Sequence, residues 1–190
     1  VSAGLSPFAL YTAYDRPAKA ALRSRVGEMA DCGIQGLALL FDDMPGGVDA
    51  LAERQAEIAS DVHHWGGSLP LRLCPTYYSD DPTLDRVFGS RPDGYLAVLG
   101  QALPPDVPIF WTGPEVCAEA LRRDNVQEAA VSCGRPLALW DNYPVNDSRA
   151  RSEHLYVGPF TQRDRFTTDL AETHWSNAMN QAALSLPALA

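Results

Sequence analysis

Short apolar runs alternate along this chain with longer stretches in which apolar residues recur every three or four positions. Apolar runs buried on both faces are what a parallel sheet covered by helices requires, and the intervening periodicity is that of the covering helices. The runs predict strands beginning near Val1, Gly36, Leu69, Val107, Pro136 and His154, most of them about one βα repeat apart. A first helix is predicted from Arg16 to Asp31, with Asp15 as cap, Pro17 in the first turn, an apolar stripe of Leu22, Val26 and Met29, and Gly33 as stop. A second is predicted from a cap at Asp49 through Leu51, Ile58, Val62 and Trp65 to Gly66-Gly67. Later helices are expected over Asn125 to Ser132 and near Asn177 to Leu186. Ser79 to Leu103, rich in Asp, Pro and Gly, reads as a long loop carrying one or two short helices.

Every predicted strand runs into a polar cluster: Ser6-Pro7, Asp42-Asp43, Thr76-Tyr77-Tyr78-Ser79, Thr112-Gly113, Asp141-Asn142-Tyr143 and Gly158-Pro159. Functional groups on the loops after successive strands are the signature of a (β/α)8 TIM-type barrel, where such loops converge on one face. A doubly wound sheet would concentrate them at its switch point instead, and neither GxGxxG nor GxxxxGK[ST] is present to support a nucleotide-binding version. Six predicted strands fall short of eight. The expectation is therefore one incomplete α/β barrel domain over residues 1–190, with about six βα units and two N-terminal units lacking.

Composition narrows the partners. The 190 residues are 46% hydrophobic and 21% charged, ordinary for a folded globular chain. Fifteen basic against 24 acidic residues give a net charge of -9, which argues against a nucleic-acid groove or an anionic membrane surface. No apolar run is long enough to span a bilayer. Cys32, Cys74, Cys117 and Cys133 lack a CxxC or a zinc-site spacing, and are expected to be free, mostly buried thiols.

Two segments concentrate chemistry. Leu39-Leu40-Phe41 ends abruptly in Asp42-Asp43, followed by Met44-Pro45-Gly46-Gly47. Adjacent strand residues point to opposite faces, so the two carboxylates share a pocket only where the chain bends into its loop. Like charges at that range push one pKa up and make a proton donor available near neutrality. The pair is too close in sequence to flank a sugar ring as acid and nucleophile. A better division of labour has one carboxylate act as general acid while the other steers a nucleophile belonging to the substrate. Turn capping, or a divalent cation shared with Asp141 and Asp147, is the alternative.

The second segment is Trp140-Asp141-Asn142-Tyr143-Pro144-Val145-Asn146-Asp147, where a strand delivers an indole, carboxamides and carboxylates together. Indole faces stack on pyranose rings, and the polar groups match paired hydroxyls. Asn146-Asp147-Ser148 also matches a glycosylation sequon. Tyr77 or Tyr78 is placed to bond a reacting oxygen, and Trp111-Thr112-Gly113-Pro114 offers a hydroxyl beside a tight turn. His63, His64, His154 and His174 are weaker candidates, the first two lying on a helix beside Trp65 where surface or packing roles are expected. Neither HExxH nor GxSxG occurs.

Leu40-Phe41-Asp42-Asp43, Cys74-Pro75-Thr76-Tyr77-Tyr78, Trp111-Thr112-Gly113-Pro114, the run from Trp140 to Asp147, and Gly158-Pro159-Phe160 occur in that order. Together they resemble the catalytic domain of glycoside hydrolase family 84, the β-N-acetylglucosaminidases. The resemblance implies a (β/α)8 barrel that cleaves terminal β-linked N-acetylglucosamine with retention, through an oxazoline and without a metal or organic cofactor. It implies Asp43 as general acid/base, Asp42 as the group orienting the acetamide, and Tyr78 as a contact to the acetamido oxygen. Trp140 is implied as a wall of the acetamido pocket, with Thr112, Asn142, Asp147 and Asn177 lining the site. Tyr77 stands where Glu or Gln is commoner in the family, and Ser176-Asn177-Ala178-Met179 matches its Asn-Pro-Met segment only loosely. The Gly-rich strand end and sugar-binding lysine of its first two units have no counterpart here. The implied partner is an N-acetylglucosaminyl glycoside or glycoprotein. A non-catalytic sugar-binding remnant, and a metal-dependent hydrolase or structural domain, remain open alternatives.

Overall fold

The computed structural model describes residues 1–8, 10–164 and 170–189. Among these, six strands form one parallel sheet in sequential order: β1 Ser2–Leu5, β2 Gly36–Leu40, β3 Leu71–Cys74, β4 Ile109–Trp111, β5 Leu137–Asp141 and β6 Ala171–Ser176. The sheet curls into a half-barrel, with each strand beside its sequence neighbour and no switch point. Six helices accompany it: α1 Arg16–Asp31, α2 Leu51–Gly66, α3 Pro82–Phe88, α4 Tyr95–Ala102, α5 Arg123–Cys133 and α6 Ala182–Leu189.

Strand alternation divides the burial into two layers. Leu37, Leu39, Leu71, Leu73, Ile109, Leu137 and Leu139 face the helices in the larger core, which α2 joins through Leu51, Ile58 and Val62. The other face carries Ala38, Cys74, Phe110 and Ala138, with Leu40, Tyr78, Trp140 and Trp175 packed against them. This smaller cluster fills the concave side and ends at the mouth, where the strand-end loops gather. On the helical side α2 packs between α1 and α4, and α4 also packs against α5. A Cβ at Gly100 would lie 1.8 Å from the Cys133 carbonyl oxygen, so the approach of α4 to the end of α5 depends on that glycine.

The α1 boundaries follow the sequence: Asp15 accepts from the Ala18 amide at 3.0 Å, and Gly33 adopts φ +75° after the last turn. Met29 is only partly buried beside Leu22 and Val26. For α2 the expectation of an Asp49 cap fails. Ala50 occupies that position in a left-handed conformation, with no side-chain cap bond. Ser79 to Leu103 does carry two short helices, α3 and α4.

The strand predicted near His154 is absent, and the sixth strand is Ala171–Ser176. Residues 154–164 instead form an irregular, mostly exposed loop, with Leu155 53% and Val157 50% exposed. Pro159 has no amide hydrogen for a ladder; Asn146 Nδ2 donates to His154 O and Tyr143 Oη to Gly158 O, and among the described residues the segment's end pairs only with Leu121 in an isolated bridge.

Candidate active site

The carboxylate pair sits where β2 leaves the sheet. The Phe41 amide still donates to Cys74 O at 2.8 Å, after which the chain turns and Asp43 takes φ +59°. That left-handed residue breaks the strand alternation, so Asp42 and Asp43 line the same cavity. The following loop is tied down by the Gly46 amide, which donates to Phe88 O at 2.7 Å, and by Tyr77 Oη, which donates to Gly89 O at 2.6 Å. A Cβ at Gly46 would lie 2.0 Å from that phenol oxygen, so glycine is required there. Tyr77 is thus a core residue, and Tyr78 is the tyrosine that reaches the cavity.

The cavity measures about 350 Å³. All eight residues singled out from the sequence line it: Asp42 and Asp43 after β2, Tyr78 after β3, Thr112 after β4, Trp140, Asn142 and Asp147 on and after β5, and Asn177 after β6. Cys74, Val116, Cys117, Val145 and Ser148 complete the lining and were not foreseen as site residues. A larger open groove of about 810 Å³ lies at the opposite ends of the strands, around Pro108, Pro136 and Ala171, away from these groups.

Burial raises the Asp42 carboxyl above its ordinary value, and the neighbouring Asp43 charge adds to the rise. The same two carboxylates, after burial itself, push the Cys74 thiol well above its usual range, so Cys74 stays a neutral thiol. Burial, with the Asp43 and Asp42 carboxylates adding to it, likewise raises the Tyr78 phenol and keeps it a proton donor. This wall therefore offers a crowded carboxylate pair flanked by neutral groups.

The facing wall is aromatic and amide-lined. Trp140 stacks on Trp175 with centroids 6.3 Å apart, and Phe110 meets both edge-on at 5.1 and 5.4 Å. Asn142 Nδ2 donates to Val116 O at 2.7 Å, while Asn142 Oδ1 accepts from Asn177 Nδ2 at 3.0 Å. The Thr112 amide donates to Tyr78 O at 2.9 Å and its hydroxyl points to Glu115 O at 3.4 Å. Asn146, the sequon residue, is buried: its Nδ2 donates to His154 O and Gln181 Oε1, and its Oδ1 accepts from the Asn180 amide. A glycan cannot be accommodated on that side chain in this fold.

Asp141 is not available to a metal or a sugar. Its carboxylate is buried behind the cavity wall, where Arg163 Nη2 and Nε donate to its two oxygens at 2.6 and 2.7 Å and His174 Nε2 lies 3.1 Å away. Arg163 also donates to the carbonyls of Ala118, Glu119 and Thr161. No cluster of three or more metal-ligating side chains occurs among the described residues. Neither Arg163 nor His174 carries a motif in the sequence that marks it as part of this wall. The cysteines are all free, but Cys32 is exposed and Cys117 half-buried. No helix among the described residues is long and apolar enough to cross a membrane.

Comparison with known proteins agrees with this geometry. The chain is 27% identical to the mouse protein O-GlcNAcase over 151 residues, and equally to the rat protein, covering 75% of this chain and 16% of each relative. Among solved structures, a point mutant of the Thermobaculum terrenum O-GlcNAc hydrolase superposes with a TM-score of 0.83 at 28% identity, over 97% of this chain and 40% of that one. The chain thus spans well under half the length of these relatives. A sequence model of the β-N-acetylglucosaminidases matches residues 4–190, nearly the whole chain. This protein belongs to the β-N-acetylglucosaminidase family, the O-GlcNAcase-like glycoside hydrolases of family 84.

Proposed function

We propose that this chain carries the acid/base centre for retaining hydrolysis of terminal β-linked N-acetylglucosamine, with the substrate's own acetamide as nucleophile. The observation that carries this reading is the opening of Asp42 and Asp43 onto one sugar-sized cavity with the Tyr78 phenol and the Trp140 indole. Asp43 gives its proton to the glycosidic oxygen as the C1–O bond breaks. The acetamido carbonyl oxygen attacks C1 while Asp42 takes the acetamide N–H proton, giving an oxazoline, and Asp42 returns that proton when the ring opens. Tyr78 donates to the reacting acetamido oxygen, and Trp140 walls the acetamide. Water, deprotonated by Asp43, then attacks C1 from the face the aglycone left. The oxazoline C–O bond opens, the acetamide is restored and configuration is retained. Thr112, Asn142, Asp147 and Asn177 hold the ring, with Asp147 on its hydroxyls. The substrate class is an N-acetylglucosaminyl glycoside or glycoprotein, in keeping with the O-GlcNAc hydrolases the chain resembles.

The sequential strands fit six units of a (β/α)8 barrel, whose closure would fall at the free edges of β1 and β6. A second reading is sugar binding at the same cavity without turnover. Hydrolysis of aryl N-acetyl-β-glucosaminides by the folded chain separates the two. Asp43→Asn should lower kcat by about 10²–10⁴-fold on poor leaving groups and spare good ones in part. Equal losses across leaving groups would remove Asp43 as the acid, and sugar binding with no turnover by the native chain would favour the second reading.

A further inference from the structure

Behind the carboxylate pair lies a hydrogen-bonded ring of uncharged, buried groups outside the cavity lining, with the Tyr95 ring set in the larger core. Gln55 on α2 and Thr76 after β3 are both 0% exposed, and Tyr95 on α4 is 2% exposed. Tyr95 Oη donates to Gln55 Oε1, Gln55 Nε2 donates to Thr76 Oγ1 at 2.8 Å, and the Thr76 amide donates back to Tyr95 Oη at 3.2 Å. The Thr76 hydroxyl, left with its proton, donates at 3.0 Å to Phe41 O, the carbonyl immediately before Asp42.

The directions of the hydrogen bonds in this ring are fixed by one another. A carbonyl only accepts, so the Thr76 hydroxyl donates to Phe41 and accepts from Gln55. The Gln55 amide must then present its nitrogen to Thr76 and its oxygen to Tyr95, whose remaining lone pair takes the Thr76 amide. Flipping any member sets acceptor against acceptor in a dry interior, at the cost of unpaired polar groups. The ring therefore fixes one arrangement of three elements around the point where β2 ends. It adds a second hold on Phe41, whose amide is already bonded to Cys74 O. The left-handed turn at Asp43 follows two residues later.

We infer that Thr76, Gln55 and Tyr95 are positioning residues that set the aim of Asp42 and Asp43, a role that rests on the acid/base reading above. Thr76 is the link that touches the strand end. Its hydroxyl anchors Phe41 O, and the other two fix the orientation of that hydroxyl. Misplacement of an acid by a fraction of an ångström weakens proton transfer to a poor leaving group far more than ground-state binding of the sugar.

Thr76→Val, which keeps the shape and removes the hydroxyl, and Thr76→Ser, which keeps the hydroxyl, test this in the full chain. With aryl N-acetyl-β-glucosaminides of graded leaving ability, Thr76→Val should lower kcat about tenfold for poor leaving groups and much less for good ones, with KM within about twofold. Thr76→Ser should recover most of the loss. If Thr76→Val lowers the melting temperature but leaves the leaving-group profile of the native chain unchanged, the residue is merely structural and the inference falls. Should the native chain bind sugar without turning it over, the acid/base reading fails by itself, and carboxyl ¹³C titration of Asp42 decides the inference. A midpoint that moves toward the ordinary carboxylate value in Thr76→Val and returns in Thr76→Ser sustains it, and a midpoint indifferent to both overturns it.

Discussion

Before Asp42, the backbone is held by the uncharged ring of Thr76, Gln55 and Tyr95, whereas behind Trp140 and Asn142 the anchor is the Asp141 carboxylate clamped by Arg163 and His174. Both anchors are buried, and both reach the cavity through backbone next to a lining residue. Phe41 O precedes Asp42 on one side; on the other, Asp141 lies between Trp140 and Asn142, and its own carbonyl accepts the Asn177 amide at 2.8 Å. A neutral ring places no third formal charge beside a carboxylate pair that, on the proposed mechanism, must exchange protons. An ionic clamp is tolerable on the far wall because the groups it positions, an indole and carboxamides, do not titrate.

The contrast breaks most visibly at Arg163. Arg163→Met leaves Asp141 buried without its bidentate partner and strands the carbonyls of Ala118, Glu119 and Thr161. Loss of one member of a buried pair costs about 3–5 kcal/mol, readable by urea denaturation. A loss below about 1 kcal/mol would mean the clamp carries little of this wall. On the neutral side, Tyr95→Phe removes the donor to Gln55 Oε1 and the acceptor of the Thr76 amide. The expected cost is about 1–3 kcal/mol by the same measurement, because the stranded groups are polar but uncharged. If Tyr95→Phe proves as costly as Arg163→Met, the distinction between the two anchors disappears.

The sequence made one of these layers visible and hid the other. Strands β2 to β5 were legible because apolar runs buried on both faces have no other common explanation in a chain of this composition, whereas β1 is exposed or half-buried along its length. β6 was not, since Ala171-Glu172-Thr173-His174-Trp175-Ser176 is half-buried and polar, while Leu155 and Val157, read as strand, are exposed. Seven of the eight candidate residues stand in or just after a strand-end motif, and such ends converge in a sequentially ordered sheet, whereas Asn177 was named only through the family resemblance because β6 was not legible. Their anchors were hidden by distance: Asp141 meets Arg163 22 residues on and His174 33 residues on, and Tyr95 meets Gln55 40 residues back. Gln55 did leave a trace. It is the polar member of the buried stripe Leu51, Ala52, Gln55, Ala56 and Ile58, and a polar residue on such a face must find a partner.

Acidity separates the two anchors by sign. Burial acts to raise the Asp141 carboxyl, but the bonds from Arg163 and His174 outweigh it and hold the group below its ordinary value. A carboxyl depressed by folding gives its full stabilisation above its unfolded pKa, near 4, and loses it as pH falls through the folded value. The stability difference between native chain and Asp141→Asn should therefore be widest above about pH 5 and close below about pH 4. The Tyr95→Phe difference should stay flat over the same range, because both the phenol and its partners are uncharged there. Denaturation series at stepped pH test this, and an Asp141→Asn difference independent of pH would show that the carboxylate form is not what Arg163 stabilises.

The smallest effect is expected at His174, and it defines how far the ionic clamp extends. Its Nε2 lies 3.1 Å from Asp141 Oδ2, an oxygen that already accepts from Arg163 Nε at 2.7 Å. A second donor to an already satisfied carboxylate adds less than the first, and His174 also contributes packing, its ring 5.5 Å from that of Phe160. His174→Gln keeps an N–H donor on a flexible side chain and should cost about 0.5–1.5 kcal/mol by urea denaturation. Because Trp175 next to it stacks on Trp140, the same variant reports whether the far wall transmits strain to the cavity. With the clamp centred on Arg163, KM for an aryl N-acetyl-β-glucosaminide should stay within about twofold of the native value. A larger rise in KM at unchanged stability would instead make His174, rather than Arg163, the residue that sets the position of the indole wall.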